Sequence, residues 1–198
     1  AQRSFNELPL PYRAIATDME TVQPVVLDHG NLALVMQASM SIPGALKPVE
    51  IDQKLLADGG IVNNLPIDIA IKMGADVIIA VDISDKLKPK SELNSAFGLV
   101  DQLTTYMTRS GTERQLGLLR QQDLLLTPEV TGYSVSDFSR MSEIVGLGES
   151  AARGMAQQLR ALSVSPAEYE EYLRGKLDRR AQLSGQPAYY LDKIVIHN

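Results

Sequence analysis

The chain has 198 residues, 19 Lys and Arg against 24 Asp and Glu for a net charge of −5, and an apolar fraction of 44%. Its length and apolar content suit one globular domain with a full core. The acidic balance and 5% aromatic content exclude a nucleic-acid groove, which needs a basic footprint to displace phosphate counterions.

Cysteine is absent, which removes disulfides, thiolate metal sites and thiol nucleophiles. Apolar runs such as Val77 to Val81 fall far short of the roughly 18 residues of a membrane span. The chain opens on Ala1 rather than Met, which predicts a processed chain or a fragment.

In chain order, Leu8 to Pro11 reads as an extended lead-in and Tyr12 to Thr17 as a strand ending at Asp18. Val25 to Leu27 is a second strand, closed by the turn Asp28-His29-Gly30. Asn31 can cap an almost wholly apolar helix, Leu32 to Met40, predicted to be buried on most sides and stopped by Pro43-Gly44. Val49 to Ile51 and Lys54 to Ala57 flank Asp52-Gln53 as a hairpin, and its second strand runs directly into Asp58-Gly59-Gly60.

Adjacent glycines belong where positive φ or close main-chain approach is required. A helix starts after Asn63-Asn64-Leu65, with Pro66 in its first turn and Gly74 as its stop. Val77 to Ile83 has the continuous apolar character of a parallel strand, so strand, helix and strand predict a βαβ unit here.

Beyond the connector Lys86 to Lys90, a helical pattern runs from Ser91-Glu92 to about Arg120 on Leu93, Phe97, Val100, Leu103 and Met107. Asp123 to Thr127 reads as a strand, Met141 to Leu162 as one helix, and Ser165-Pro166-Ala167-Glu168 as a capping box for a last helix ending near Arg180. The tail from Tyr189 switches to β patterning. The Met and Leu stripes of the helices beyond residue 90 read first as core, with a hydrophobic mouth for acyl chains, a membrane-facing surface or a homodimer contact also open to them.

Two histidines, His29 in a turn and His197 next to the end, have no metal-ligand spacing and give a Ser-His-Asp triad little support. A complete Gly-x-Ser-x-Gly elbow is missing: the partial forms at Gly132-Tyr133-Ser134 and Gly148-Glu149-Ser150 fall in a loop and within a helix. Asp58-Gly59-Gly60 is the sharp feature. A carboxylate at a strand end, followed by two residues without side chains, can approach another backbone element closely enough to serve a hydroxyl as general base, and it can equally be an ordinary turn.

Ser39 and Ser41 read as packing and capping residues. Asn63 and Asn64 read as fixing the loop after the glycines, with a second role open to them in holding Asp58. Asp18, Asp82 and Asp85 read as strand-end turn residues, the alternative being a magnesium carboxylate cluster for phosphotransfer.

Four segments occur together: Leu8 to Asp18, Ala38 to Gly44, Leu56 to Pro66, and Gly74 to Asp82. In order and spacing over Leu8 to Ser84 they resemble the second half of a patatin-like phospholipase domain, and from Lys86 onward the likeness is mainly a helical pattern.

The resemblance implies a three-layer α/β/α fold with a mainly parallel central sheet and a helix-rich C-terminal part. It also implies a Ser-Asp dyad without histidine or cofactor, whose aspartate falls on Asp58, with Gly59, Gly60, Asn63 and Asn64 as the supporting loop. The family's serine elbow and glycine-rich oxyanion loop precede the part present here, so residues 1–188 are expected to be the C-terminal portion of a catalytic domain whose serine an upstream segment supplies.

The implied activity is hydrolysis of fatty-acyl esters of phospholipids or lysophospholipids at a membrane surface. The alternative is a non-catalytic lipid-binding or assembly module keeping the fold. Residues 189–198 resemble the start of the POTRA-like module of bacterial autotransported members, which implies a secreted or outer-membrane location; stand-alone cytoplasmic members carry similar motifs.

Overall fold

A computed structural model describes residues 4–84, 86–133 and 137–184. The chain divides into a larger compact unit, Ala14–Leu27 with Leu32–Ser163, and a smaller one drawn from Ala1–Arg13, Asp28–Asn31 and Val164–Asn198.

In the larger unit, β1 (Ala14–Asp18) and β2 (Gln23–Leu27) form an antiparallel hairpin, with Ala14 opposite Leu27 and Asp18 opposite Gln23. The turn closes with the Val22 N–H donating to the Asp18 carbonyl at 2.8 Å, and Val22 sits at φ 54°, a strained setting for a β-branched residue. After α1 (Leu32–Ser39), β3 (Val49–Ile51) and β4 (Lys54–Asp58) make the second hairpin. Asp52 and Gln53 lie at φ 51° and 64°, the left-handed pair that a two-residue hairpin turn demands.

The strand order is β2-β1-β4-β3, antiparallel throughout. Strand β1 is buried along its whole length because β2 and β4 flank it while α1 packs on it. The short α2 (Gly60–Asn63) and α3 (Ile67–Lys72) follow, then β5 (Ile79–Val81), α4 (Ala96–Leu116) and β6 (Leu124–Leu126). Strands β5 and β6 pair in parallel, Ile79 opposite Leu124, and α4 is the crossover such a pair requires. Ile67, Ile78 and Ala80 form the buried centre here, with Leu65, Leu116, Leu119 and Leu125 packed against it.

Asp123 locks this pair at its base. Its Oδ1 accepts the Ile78 N–H at 2.9 Å, and its Oδ2 accepts the Arg120 N–H at 2.7 Å and Nε–H at 2.9 Å. Arg120 Nη2 then donates to the carbonyls of Ala75 and Asp76 at 3.1 and 3.0 Å. These hydrogen bonds hold the Asp123 carboxyl far below the usual carboxylate range, the Arg120 side chain contributing most.

Several expectations are corrected. The described sheets are not mainly parallel: turns of two to four residues join β1 to β2 and β3 to β4, and connections that short force antiparallel pairing. No βαβ unit links β4 to β5, because β1 and β3 already occupy both edges of β4; the unit is β5-α4-β6.

Helix α1 buries only Val35 and Ala38 and leaves Leu32, Leu34 and Met36 exposed, since a single sheet face receives it. Likewise Ile79, Val81 and Ile83 are exposed rather than sandwiched. Pro66 stands before α3 as its N-cap instead of inside it, while Gly74 at φ 83° stops that helix as expected.

Lys90–Glu92 is a separate 3-10 turn, and α4 begins at Ala96, where the Ser95 hydroxyl accepts the Gly98 N–H at 3.0 Å. The helix expected over Met141 to Leu162 is two, α5 (Met141–Gly154) and α6 (Ala156–Arg160), broken where Met155 leaves helical geometry at φ −106°, ψ 20°.

The smaller unit contains a 3-10 turn, Phe5–Glu7, and α7 (Pro166–Ser184). The α7 start is a reciprocal capping box: Ser165 Oγ accepts the Glu168 N–H at 3.4 Å and Glu168 Oε2 accepts the Ser165 N–H at 2.9 Å. The helix runs to Ser184 rather than Arg180. The tail from Tyr189 lies outside the described residues. Among the described residues no helix is long and apolar enough to cross a membrane.

Candidate functional site

Asp58 is the last residue of β4, opposite Ala16 of β1. Its main chain is fixed on both sides: its N–H donates to the Ser41 carbonyl at 3.0 Å, and the Thr17 hydroxyl donates to its carbonyl at 2.7 Å. Thr17 and Ser41 are fully enclosed, so these bonds form away from competing water.

The two glycines solve different problems. Gly59 has ordinary right-handed geometry, φ −69° and ψ −20°, so it is not there for positive φ. A Cβ at Gly59 would stand 2.1 Å from the Ile15 carbonyl oxygen, and close approach to β1 is therefore what excludes a side chain. At Gly60 a Cβ would lie 2.8 Å from Asp58 Oδ1 and 2.9 Å from Asn64 Oδ1; its missing side chain leaves room for the carboxylate.

The Gly60 N–H donates to Asp58 Oδ1 at 2.6 Å. Asp58 Oδ2 has no hydrogen-bond partner among the described residues. The half-buried carboxyl titrates above the usual range because burial disfavours its charged form, with the Gly60 N–H opposing the rise. One oxygen held, one available and a raised proton affinity suit this group to taking a proton from a hydroxyl.

The other predicted residues go elsewhere. Asn63 Nδ2 donates to Asp68 Oδ1 at 3.0 Å, and its buried Oδ1 has no hydrogen-bond partner among the described residues, so the Asn63 side chain braces α3 and makes no hydrogen bond to the Asp58 carboxyl. Asn64 Oδ1 lies against Gly60. Lys72 Nζ and Asn63 hold the Asp68 carboxyl, whose proton affinity burial would raise and these contacts lower to below the usual range.

Ser39 Oγ donates to the Ile15 carbonyl at 2.6 Å and Ser41 Oγ to the Gln37 carbonyl at 2.7 Å, so both hydroxyls are committed to backbone. Ser150 lies inside α5 with its hydroxyl on the Gly146 carbonyl at 2.9 Å; Ser134 lies outside the described residues. Asp18 and Asp82 accept the N–H groups of Glu20 and Ser84 at 3.0 and 2.9 Å as turn residues do, and Asp85 lies outside the described residues. Among the described residues no cluster of His, Asp and Glu could hold a metal ion. His29 Nδ1 pairs with the Asp28 carboxylate at 2.6 Å.

Sequence reasoning missed Thr17 and Thr108, whose hydroxyls bind the Asp58 and Gly60 carbonyls. A single threonine meeting a carbonyl more than 40 residues away leaves no local pattern to read. It also missed a groove of about 680 Å³ beside α2, lined by Val22, Ile61, Val62, Asn63, Met107 and Arg114 among others.

Residues 12–71 match the patatin-like phospholipase family. The chain is 31% identical over 175 residues to the mouse patatin-like phospholipase domain-containing protein 7, covering 76% of this chain and 13% of that protein. It is 41% identical over 81 residues to an uncharacterised NTE family protein of Mycobacterium tuberculosis, covering 41% of this chain and 22% of that protein. A second NTE family protein of that organism is 28% identical over 178 residues, covering 77% of this chain and 30% of its own length. The chain thus spans less than a third of these relatives.

Proposed function

Because these likenesses support the patatin-like phospholipase family, and with it lipid hydrolysis in general, we propose that this chain supplies the general base of a lipid acyl hydrolase. The observation that carries the reading is the Asp58 carboxyl, anchored through Oδ1 to the Gly60 amide and open at Oδ2. Asp58 Oδ2 accepts the proton of a serine hydroxyl carried by a segment outside the described residues. The serine oxygen bonds to the ester carbonyl carbon, and collapse of the tetrahedral adduct expels the alcohol, which takes the proton back from Asp58. Water then repeats the sequence on the acyl-serine and releases the fatty acid.

A carboxylate is a weak base for an alcohol, so the raised proton affinity of Asp58 helps and donors at the oxyanion supply most of the acceleration. The substrates assigned are phospholipids or lysophospholipids met at a membrane surface. A three-layer fold follows if further strands join the described sheets. The POTRA-like reading of residues 189–198 is the sole support for a secreted or outer-membrane location.

The second reading, a non-catalytic lipid-binding module, draws on Ser39 and Ser41, the serines nearest Asp58 along the backbone, whose hydroxyls serve carbonyls. A serine-directed fluorophosphonate separates the two. The catalytic reading expects one serine labelled in a protein joining this chain to its elbow-bearing segment, with labelling slowed by Asp58→Asn. Absence of labelling in the folded wild type favours the binding module.

A further inference from the structure

We propose that Thr108 of α4 is a positioning residue for Asp58, a role resting on the reading of Asp58 as a general base. Thr108 Oγ1 donates to the Gly60 carbonyl at 3.0 Å, and the same glycine donates its N–H to Asp58 Oδ1 at 2.6 Å. Two hydrogen bonds therefore run from α4 through one residue to the carboxylate. Gly60 has no side chain to restrain it, so its peptide groups are held by what they bond to.

The carboxyl has no other hydrogen-bond partner among the described residues, and its aim depends on where Gly60 stands. The two helices meet beside this bond: a Cβ at the buried Gly111, one turn along α4, would be in van der Waals contact with the Val62 carbonyl of α2 at 3.4 Å. Thr112, four residues on, is more deeply buried than the half-buried Thr108 but serves a different loop, meeting the Ser84 hydroxyl at 3.3 Å. It is a built-in control. Helix α4 lies outside residues 12–71, so the family match does not include it.

The experiment compares Thr108→Val, Thr108→Ser and Thr112→Val in this chain, reading the Gly60 amide exchange rate and the Asp58 carboxyl titration by NMR. Loss of one neutral hydrogen bond is expected to speed Gly60 exchange about fivefold in Thr108→Val and to move the Asp58 titration, with Thr108→Ser restoring both. Thr112→Val is expected to lower thermal stability and leave both readouts unchanged. Should the valine variant not fold, Thr108→Ala provides the same comparison.

Unchanged Gly60 exchange and Asp58 titration in Thr108→Val, or equal changes in Thr112→Val, overturn the proposal. In the ester-hydrolysing protein, Thr108→Val is expected to lower kcat with KM retained. Full activity of Asp58→Asn would sink the base assignment alone, whereas the NMR comparison judges Thr108 independently.

Discussion

Replacing Gly59 by alanine tests the reason the site has its shape. The added methyl would stand 2.1 Å from the Ile15 carbonyl oxygen and 2.6 Å from its carbon. Reaching even a tight 3.0 Å contact needs a separation of about 0.9 Å between two backbone segments, an overpacking defect costing about 1–3 kcal/mol. The displacement also strains the Thr17 hydroxyl bond to the Asp58 carbonyl, worth about 1 kcal/mol.

The expected loss is about 2–4 kcal/mol, read as a fall of about 1–2 M in the urea midpoint at unchanged slope. Gly60→Ala is the contrasting variant. Its methyl meets the ends of the Asp58 and Asn64 side chains, which can rotate away, so stability should stay within about 1 kcal/mol while the Asp58 titration moves. A Gly59→Ala protein within about 0.5 kcal/mol of wild type would refute close approach as the reason for the first glycine.

Leu56→Ala, at a fully buried β4 position, is expected to cost about 2–5 kcal/mol by chemical denaturation. The folded Asp123 carboxyl titrates well below its unfolded value of 3.8, so its stabilisation is present above that value and lost as pH falls through the folded one. Asp123→Asn should therefore be less stable at neutral pH, with the gap closing below pH 3.8, as followed by urea midpoints across pH.

Asp58 has the opposite sign: its folded carboxyl is raised, so the cost of its charge is absent below the unfolded value of 3.8 and appears as pH rises through the folded one. Asp58→Asn should gain stability relative to wild type over that window in the same titration.

Local chemistry was legible in the sequence wherever a pattern lay within a few residues. The Asp52-Gln53 turn, the Gly74 stop, the Ser165–Glu168 capping box and the short strand at Leu124–Leu126 all took the predicted place. Strand pairing was not legible, because β1 joins β4 across the intervening β2, α1 and β3, and apolar content alone does not choose between β4 and β6 as the neighbour of β5.

The bare face of α1 escaped because periodicity marks an apolar side without saying whether anything covers it, and the break at Met155 because the helical pattern continues across it. At the site, Asp58-Gly59-Gly60 stood out as a motif, yet the cause of its first glycine, the Ile15 carbonyl, lies 44 positions earlier and is visible only in three dimensions.

The most direct test of the account is steady-state hydrolysis of a lysophospholipid by a protein joining this chain to a segment that carries a serine elbow, wild type against Asp58→Asn, with circular dichroism confirming equal folding. Loss of general-base catalysis predicts a fall in kcat of about 10²–10⁴-fold. Wild-type turnover by a folded Asp58→Asn protein would contradict the assignment of Asp58 as the base.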